Sequence, residues 1–184
     1  MARRENDFYP TPAQLTKELL KRVEISGTVF ECCAGDGAIA KELEENCLIT
    51  KVITNDIDSN RKCDLNADAS LSIYWNKYFG SCDWVVTNPP YKDVAPRIVP
   101  LAFEHCRIGI AMLLRLSYLE PCTNRGDWLE KHKKFMTDII IFGQPRPSFT
   151  NNGKVDTSTT CWIVWQKKPK HFGTEFHFVT NWKQ

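Results

Sequence analysis

The order of apolar and polar residues along the chain predicts alternating short strands and helices. Mostly apolar runs predict strands at 28–33, 51–55, 82–87, 108–114, 138–142 and 160–166. A polar stretch leaves room for one more short strand near 62–65, and helical patterns occupy 38–46, 70–79, 95–106 and 128–135. Because continuously apolar strands alternate with helices, we predict an α/β fold with a doubly wound, mostly parallel sheet of seven strands.

The predicted strands 138–142 and 160–166 are expected to run antiparallel to each other. A long loop rich in Pro, Asn and Gly, residues 143–158, joins 138–142 to 160–166. Loops of this length in compact domains are usually functional. Beyond these strands, residues 175–179 alternate like a strand, but the sequence does not indicate where they would join the sheet.

A helix-start signal precedes the first amphipathic segment. Thr11 is expected to cap this helix, with Pro12 in its first turn and Gln14 completing a capping box. The leucines that follow, together with Val23, form one apolar face.

Composition and charge limit the classes of protein to consider. The chain of 184 residues is 42% hydrophobic and 25% charged, which predicts one globular domain over 1–184. It has no apolar run of the roughly 18 residues that a membrane span needs, and no apolar segment follows Arg3 and Arg4, so we expect a cytoplasmic protein. Eight scattered cysteines without a C-x-x-C pair favour free thiols over disulfides or a metal site. The net charge of +2 permits a nucleic-acid partner without requiring one.

The most informative motif is Asn88-Pro89-Pro90-Tyr91, directly after the apolar run 82–87. The Asn88 side-chain oxygen and the Pro89 carbonyl can each accept an N–H, and Tyr91 can stack on a ring. The motif therefore suits a planar ring that carries an exocyclic amine. A plain proline turn is the alternative interpretation.

A glycine-rich loop, residues 35–40, lies between the first strand and the helix after it. Glycines let the backbone approach a ligand closely, and Asp56 at the end of the next strand could hold a ribose diol. The pattern G-x-G-x-x-A also fits a dinucleotide site. Because Glu31 and Asp36 would repel a pyrophosphate, the loop better suits a cationic ligand without phosphate, such as S-adenosylmethionine.

With these motifs in this order, the chain resembles the class I S-adenosylmethionine-dependent methyltransferases. It is most similar to the small phage-type and Dam-like enzymes that methylate adenine N6. The resemblance spans roughly residues 7–166 and rests on the segments 8–12, 31–37 and 88–91. It implies a Rossmann-like sheet, S-adenosylmethionine as cofactor and methyl transfer to adenine N6 in DNA. For a chain of this length, we expect no separate target-recognition domain.

The resemblance also implies roles for individual residues. The tetrad Asn88, Pro89, Pro90 and Tyr91 would be catalytic. The expected cofactor contacts are Tyr9, Pro10, Thr11, Glu31, Cys32, Ala34, Gly35, Gly37, Asp56, Ile57 and Asp68. Asp68 is the expected contact of the cofactor adenine, and Asp64 is the alternative.

Substrate contacts are expected from the later part of the chain. Phe149 would lie on the open face of a flipped adenine, or else pack on the core. Arg115, Arg125 and Arg146 would contact phosphates, or else be plain surface charges. Structured RNA is the main alternative to DNA. Further alternatives are a protein glutamine methyltransferase, a nicotinamide-dependent oxidoreductase and a catalytically silent subunit, and a protein partner for target recognition is left open.

Overall fold

The computed structural model describes residues 10–79, 82–91, 93–149, 158–169, 171 and 173–183. One sheet runs through them, in the order β2-β1-β3-β4-β6-β5-β7. Its strands are β1 (Gly27–Glu31), β2 (Ile49–Thr54), β3 (Cys82–Thr87), β4 (Cys106–Arg115), β5 (Met136–Phe142), β6 (Thr160–Gln166) and β7 (Glu175–Val179). Only β6 is antiparallel to its neighbours β4 and β5 among these strands. The predicted α/β fold, with a mostly parallel sheet and an antiparallel strand near the C-terminus, is confirmed.

The helices lie close to their predicted positions. They are α1 (Ala13–Leu20), α2 (Ala38–Glu44), α3 (Ser72–Tyr74), α4 (Ala95–His105) and α5 (Gly126–His132). A π-helical turn, Trp75–Phe79, continues α3, and 3₁₀ turns cover Leu116–Leu119 and Lys133–Phe135. None of the helices in the described ranges is long and apolar enough to cross a membrane.

The start of α1 differs from the prediction. Pro12 occupies the N-cap position and no side-chain hydrogen bond caps the helix. The Thr11 hydroxyl instead accepts a hydrogen bond of 3.1 Å from the Asn88 side-chain nitrogen. The predicted capping box is therefore wrong, because a long-range polar contact takes the hydroxyl.

The sheet has seven strands, as predicted, but one of them is not the strand that the sequence indicated. The strand expected near 62–65 is reduced to a single parallel bridge between Asn55 and Leu65. Here the Leu65 N–H bonds to the Thr54 carbonyl of β2, whereas the Cys63 N–H bonds to the nearby Arg61 carbonyl and the Asp64 N–H to the Thr54 hydroxyl, so no regular ladder forms. The seventh strand is β7, which pairs in parallel with β5 at the edge of the sheet.

Both faces of the sheet are covered, which explains the continuously apolar strands. On one face, Val85 and Ile110 pack with Ile98 and Val99 of α4. On the other face, the core consists of residues from α1, α2 and the sheet: Leu15, Leu19, Ile39, Leu43, Trp84, Leu113 and Trp162. The Trp162 indole N–H donates to the Leu15 carbonyl at 2.7 Å, which joins α1 to the sheet. This packing fixes the helices and loops at the carboxyl ends of the central strands.

Gly109 in β4 leaves no room for a side chain. A Cβ there would lie 2.6 Å from the Trp165 carbonyl oxygen and 2.9 Å from the Trp84 ring. We expect Gly109→Ala to lower the free energy of unfolding by about 1–3 kcal/mol through overpacking, measured by denaturant titration. Gly143→Ala is the matched control, since its Cβ would meet its nearest neighbour at 3.5 Å. Equal stability of the two variants would contradict this account.

Candidate active site

The carboxyl ends of β1, β2, β3 and β4 meet at one edge of the sheet, where parallel α/β proteins bind ligands. A first cleft there is lined by residues from the glycine loop and both neighbouring strand ends: Thr11, Glu31, Cys33, Ala34, Gly35, Asp36, Ala38, Ile39, Asp56, Asp58, Arg61, Asn88 and Pro90. A second cleft of about 360 Å³ adjoins it, because Cys33 and Pro90 line both. Together they bring most of the predicted cofactor contacts to one place.

The glycine loop turns sharply around two residues with positive φ. Gly35 has a φ of 58° and Gly37 a φ of 79°, conformations that side-chain-bearing residues rarely adopt. The Gly35 N–H donates to an oxygen of Asp56 at 2.8 Å. The other Asp56 oxygen accepts the Asp58 N–H at 2.9 Å. Asp56 thus orders the loop and forms part of the first cleft.

Asn55 is a site-building residue that the sequence analysis missed. Its fully buried side-chain nitrogen donates to the carbonyls of Cys32 at 2.9 Å and Ala67 at 3.0 Å, and its oxygen accepts the Ala67 N–H at 3.0 Å. Its backbone also exchanges hydrogen bonds with Glu31 and Ala34. An Asn beside an Asp at a strand end looks like an ordinary turn, so the sequence carries no signal for this role.

The tetrad continues directly from β3 into the cleft wall. The Asn88 side chain uses its nitrogen for the bond to Thr11, which leaves the carbonyl oxygen as the acceptor. One residue earlier, the buried Thr87 hydroxyl accepts the Cys33 N–H at 3.2 Å, so the tetrad strand is tied to the loop after β1. Asn88 is therefore tied to Thr11, and the end of β3 is tied to the start of the loop that follows β1.

Glu31 is a buried acid beside the glycine loop. It is 1% exposed, and its Oε2 has no hydrogen-bond partner within the described part of the chain. Burial, reinforced by the charges of Asp36 and Asp56, raises the pKa of Glu31 well above its ordinary value. A hydrogen bond with Cys32 and burial likewise raise the pKa of the Cys33 thiol, so that thiol stays neutral.

The lining of the second cleft distinguishes Asp68 from Asp64, the two acids considered as the contact of the cofactor adenine. Cys32, Ile57 and Asp68 line it, and Ile57 is 56% exposed. Asp64 instead accepts the N–H and the hydroxyl of Thr54 at 2.8 and 2.9 Å, and it does not line either cleft. Of the two acids, Asp68 is the one positioned to meet a ligand there.

A third pocket of about 140 Å³ lies beyond the tetrad and includes Tyr91, Arg115, Tyr118 and Arg125. The Arg115 guanidinium carbon lies 5.0 Å from the centre of the Tyr91 ring. Arg125 donates to the carbonyls of Tyr118 at 2.7 Å and Ser117 at 3.0 Å. Arg125 therefore holds the pocket wall in place, and Arg115 covers part of the Tyr91 ring.

Comparison with known proteins finds similarity in structure only. No protein-family model matches the chain, and no curated protein matches it in sequence. A Listeria monocytogenes protein assigned to the class I S-adenosylmethionine-dependent methyltransferases matches with a TM-score of 0.67 and 12% identity, over 95% of this chain and 67% of that one. TrmK of M. capricolum, in complex with the cofactor product S-adenosylhomocysteine, matches with a TM-score of 0.59 and 10% identity, over 87% and 69%.

A type I restriction-modification methyltransferase subunit from Streptococcus thermophilus is also similar. Its TM-score is 0.63 at 14% identity, over 92% of this chain and 47% of that one, so the present chain spans about half its length. The chain has the class I methyltransferase fold. The first and second clefts of this chain lie at the edge of the sheet where parallel α/β proteins bind ligands. The tetrad lies between these clefts and the third pocket.

Phe149, Arg146 and Tyr9 lie elsewhere or outside the described ranges, and Gly37 and Pro89 line none of the three pockets. Phe149 is 1% exposed and packs in the core, which fits its alternative interpretation and leaves no ring face for a base. Arg146 is half-buried in the loop after β5 and lines none of the three pockets described above. Tyr9 is outside the described residues, whereas Pro10 is half-buried and precedes Thr11 at the first cleft.

Asn55→Ala would remove three buried hydrogen bonds and strand the Cys32 and Ala67 carbonyls and the Ala67 N–H. Each unsatisfied buried group costs about 1–3 kcal/mol, so we expect a clear drop in the denaturation midpoint. The Ala67 and Ala34 amides should also exchange hydrogen faster than the β4 core. The exposed Asn60→Ala is the control, and equal effects of the two variants would contradict an anchoring role for Asn55.

Proposed function

We propose that the protein transfers a methyl group from S-adenosylmethionine to the exocyclic N6 of adenine in DNA. The observation that carries the proposal is the tetrad Asn88-Pro89-Pro90-Tyr91 at the end of β3, where Asn88 and Pro90 line the same cleft as Gly35 and Asp56. An amide acceptor for an amine thus lies beside a loop suited to a nucleoside.

The chemistry follows from the acceptors of the tetrad. The adenine amine is a poor nucleophile because its lone pair is delocalised into the ring. Hydrogen bonds from its two N–H groups to the Asn88 oxygen and the Pro89 carbonyl would draw the nitrogen toward tetrahedral geometry and free that lone pair. Each preorganised hydrogen bond of this kind can contribute a factor of about 10²–10³ in rate. The methylated amine then loses its extra proton to water.

The charges around the clefts favour S-adenosylmethionine over a dinucleotide. Asp36 and Asp56 border the glycine loop, which suits the sulfonium and ammonium groups of the cofactor, and Glu31 adds a further charge once it ionises. The Gly35 N–H is already bonded to Asp56, and the Ala38 N–H faces Asp36 at 3.3 Å. A pyrophosphate would need such N–H groups for itself. When bound, the cofactor would supply the methyl group, with Asp56 toward its ribose and Asp68 toward its adenine.

DNA is the favoured polymer for two reasons. One of the similar structures is the methyltransferase subunit of a type I restriction-modification system. Arg115 lies over Tyr91 in the third pocket, where a flipped base and its phosphates would approach. Removing a base from a duplex costs a few kcal/mol, and stacking on Tyr91 at roughly 1–3 kcal/mol would offset much of it.

The direct test is a labelled-methyl assay on duplex DNA, single-stranded DNA and RNA. We expect label on adenine N6 in DNA, and Asn88→Ala should lower the rate constant at saturation at least about 10²-fold because the amine loses one acceptor. Cofactor binding of Asn88→Ala, measured by calorimetry, should stay near that of the wild type. Asn60→Ala is the control.

The outcomes separate the competing functions. Label only in RNA would overturn DNA as the substrate. Label in neither polymer, with S-adenosylmethionine still bound, would point to a protein substrate or to a catalytically silent subunit. Thermal stabilisation by NAD and not by S-adenosylmethionine would overturn the methyltransferase itself.

A second prediction concerns the pH dependence of cofactor affinity. Since burial raises the pKa of Glu31, its carboxyl stays neutral to a higher pH than an ordinary glutamate and ionises as the pH rises through that raised pKa. A cationic cofactor binds the ionised form better, so affinity should increase with pH over this interval. Glu31→Gln should bind more weakly at high pH and lose the slope. If the pH dependence of cofactor affinity were the same in Glu31→Gln, a group other than Glu31 would cause it.

A further inference from the structure

A second cluster of potential ligand residues lies at the far side of the sheet, on β5 and β7. Donor atoms of Asp138, Glu175 and His177 all lie within 4.8 Å of one another. Strands β4 and β6 separate this cluster from the tetrad strand β3. With neighbouring strands about 4.8 Å apart, the cluster is at least roughly 14 Å from the tetrad across the sheet, and it forms no part of the site described above.

The backbone explains why the three side chains converge. In the parallel pairing of β5 with β7, Asp138 is opposite Glu175 and Ile140 is opposite His177. Residues two apart on a strand share a face, so Glu175 and His177 lie on the same side of β7. An irregularity in the β5–β6 register, between Met136 and Asp138, lies directly before the aspartate. Such bulges commonly re-aim a side chain.

The hydrogen bonding within the cluster links the imidazole to only one of the two carboxylates. The His177 Nε2 lies 3.0 Å from the Asp138 Oδ1 and 3.8 Å from the Glu175 Oε2. One imidazole N–H can serve the first carboxylate, but the second is beyond hydrogen-bond distance. Asp138 is only 5% exposed, so its charge is poorly solvated. Two carboxylates therefore face a single nitrogen.

We propose that Asp138, Glu175 and His177 bind a divalent first-row metal ion of the Zn²⁺ type. Imidazole nitrogen and carboxylate oxygen are both ligands of Zn²⁺, at about 2.0–2.2 Å, which sets donor atoms of a tetrahedral site about 3.3 Å apart. The observed separations of 3.0 and 3.8 Å bracket that spacing. A fourth ligand can come from water or from His171, whose Nε2 is 3.9 Å from Glu175.

The ion would fasten the edge strand β7 to β5. β7 pairs with β5 and with no other strand in the described ranges, and its Phe176 and Phe178 are 58% and 73% exposed. Little apolar packing therefore holds the strand in place. A metal that binds ligands from both strands would add the cohesion that packing does not supply, without touching the cofactor clefts.

The test uses the full chain, stripped of metal, with the exposed Cys47 and Cys122 replaced by serine to remove competing thiols. Zn²⁺ alone should bind at one equivalent in calorimetry and raise the melting temperature, whereas Mg²⁺ should do neither. Co²⁺ should give visible d–d absorption without the near-ultraviolet charge-transfer band of a thiolate ligand. These spectra distinguish the cluster from the remaining cysteines.

The variants are His177→Gln and Asp138→Asn, which retain a hydrogen-bonding pair and should fold without metal. Each should weaken Zn²⁺ binding by more than the roughly 10–100-fold that loss of an outer-shell partner costs. Glu44→Gln, an exposed acid on α2, is the matched control and should bind like the parent. Absence of Zn²⁺ binding by the parent, unchanged binding by His177→Gln, or a cobalt–thiolate band would each overturn the proposal.

Discussion

The ligand-binding edge of this sheet depends on the buried amide of Asn55. Its side chain joins the backbone after β1 to the segment at Ala67, while its main chain bonds to Glu31 and Ala34. Each polar atom of the amide takes part, as a buried polar group requires. The glycine loop, Asp56 directly after the anchor and the floor of the second cleft therefore share one anchor and cannot shift independently.

Charge is divided across this edge in a way that suits two different ligands. The first cleft has Glu31, Asp36, Asp56 and Asp58 on its walls, whereas the third pocket has two arginines and two tyrosines. Tetrad residues border both. Under the proposed function, the cationic cofactor and the anionic polymer would approach opposite sides of the same four residues.

The sequence predicted most of the helices and strands correctly, but fewer of the side-chain contacts. The apolar runs of β3, β4 and β6 predicted those strands because they are buried on both faces, and the two glycine and proline motifs have local conformations that few other residues adopt. The capping box failed because Asn88, distant in sequence, takes the Thr11 hydroxyl. Phe149 and Asn55 could not be assigned, since whether an aromatic or an amide is buried depends on the packing of the whole sheet.

The reversed direction of β6 determines where the loop before it is attached to the sheet. Because β5 and β6 are antiparallel neighbours, the loop between them starts and ends at the edge that carries the clefts. Both attachment points are fixed, the second by a hydrogen bond from the Leu116 N–H to the Thr159 carbonyl. Phe149, near the start of the loop, is itself part of the core. Under the proposed function, residues beyond Phe149 could change the choice of target without rebuilding the tetrad or the glycine loop.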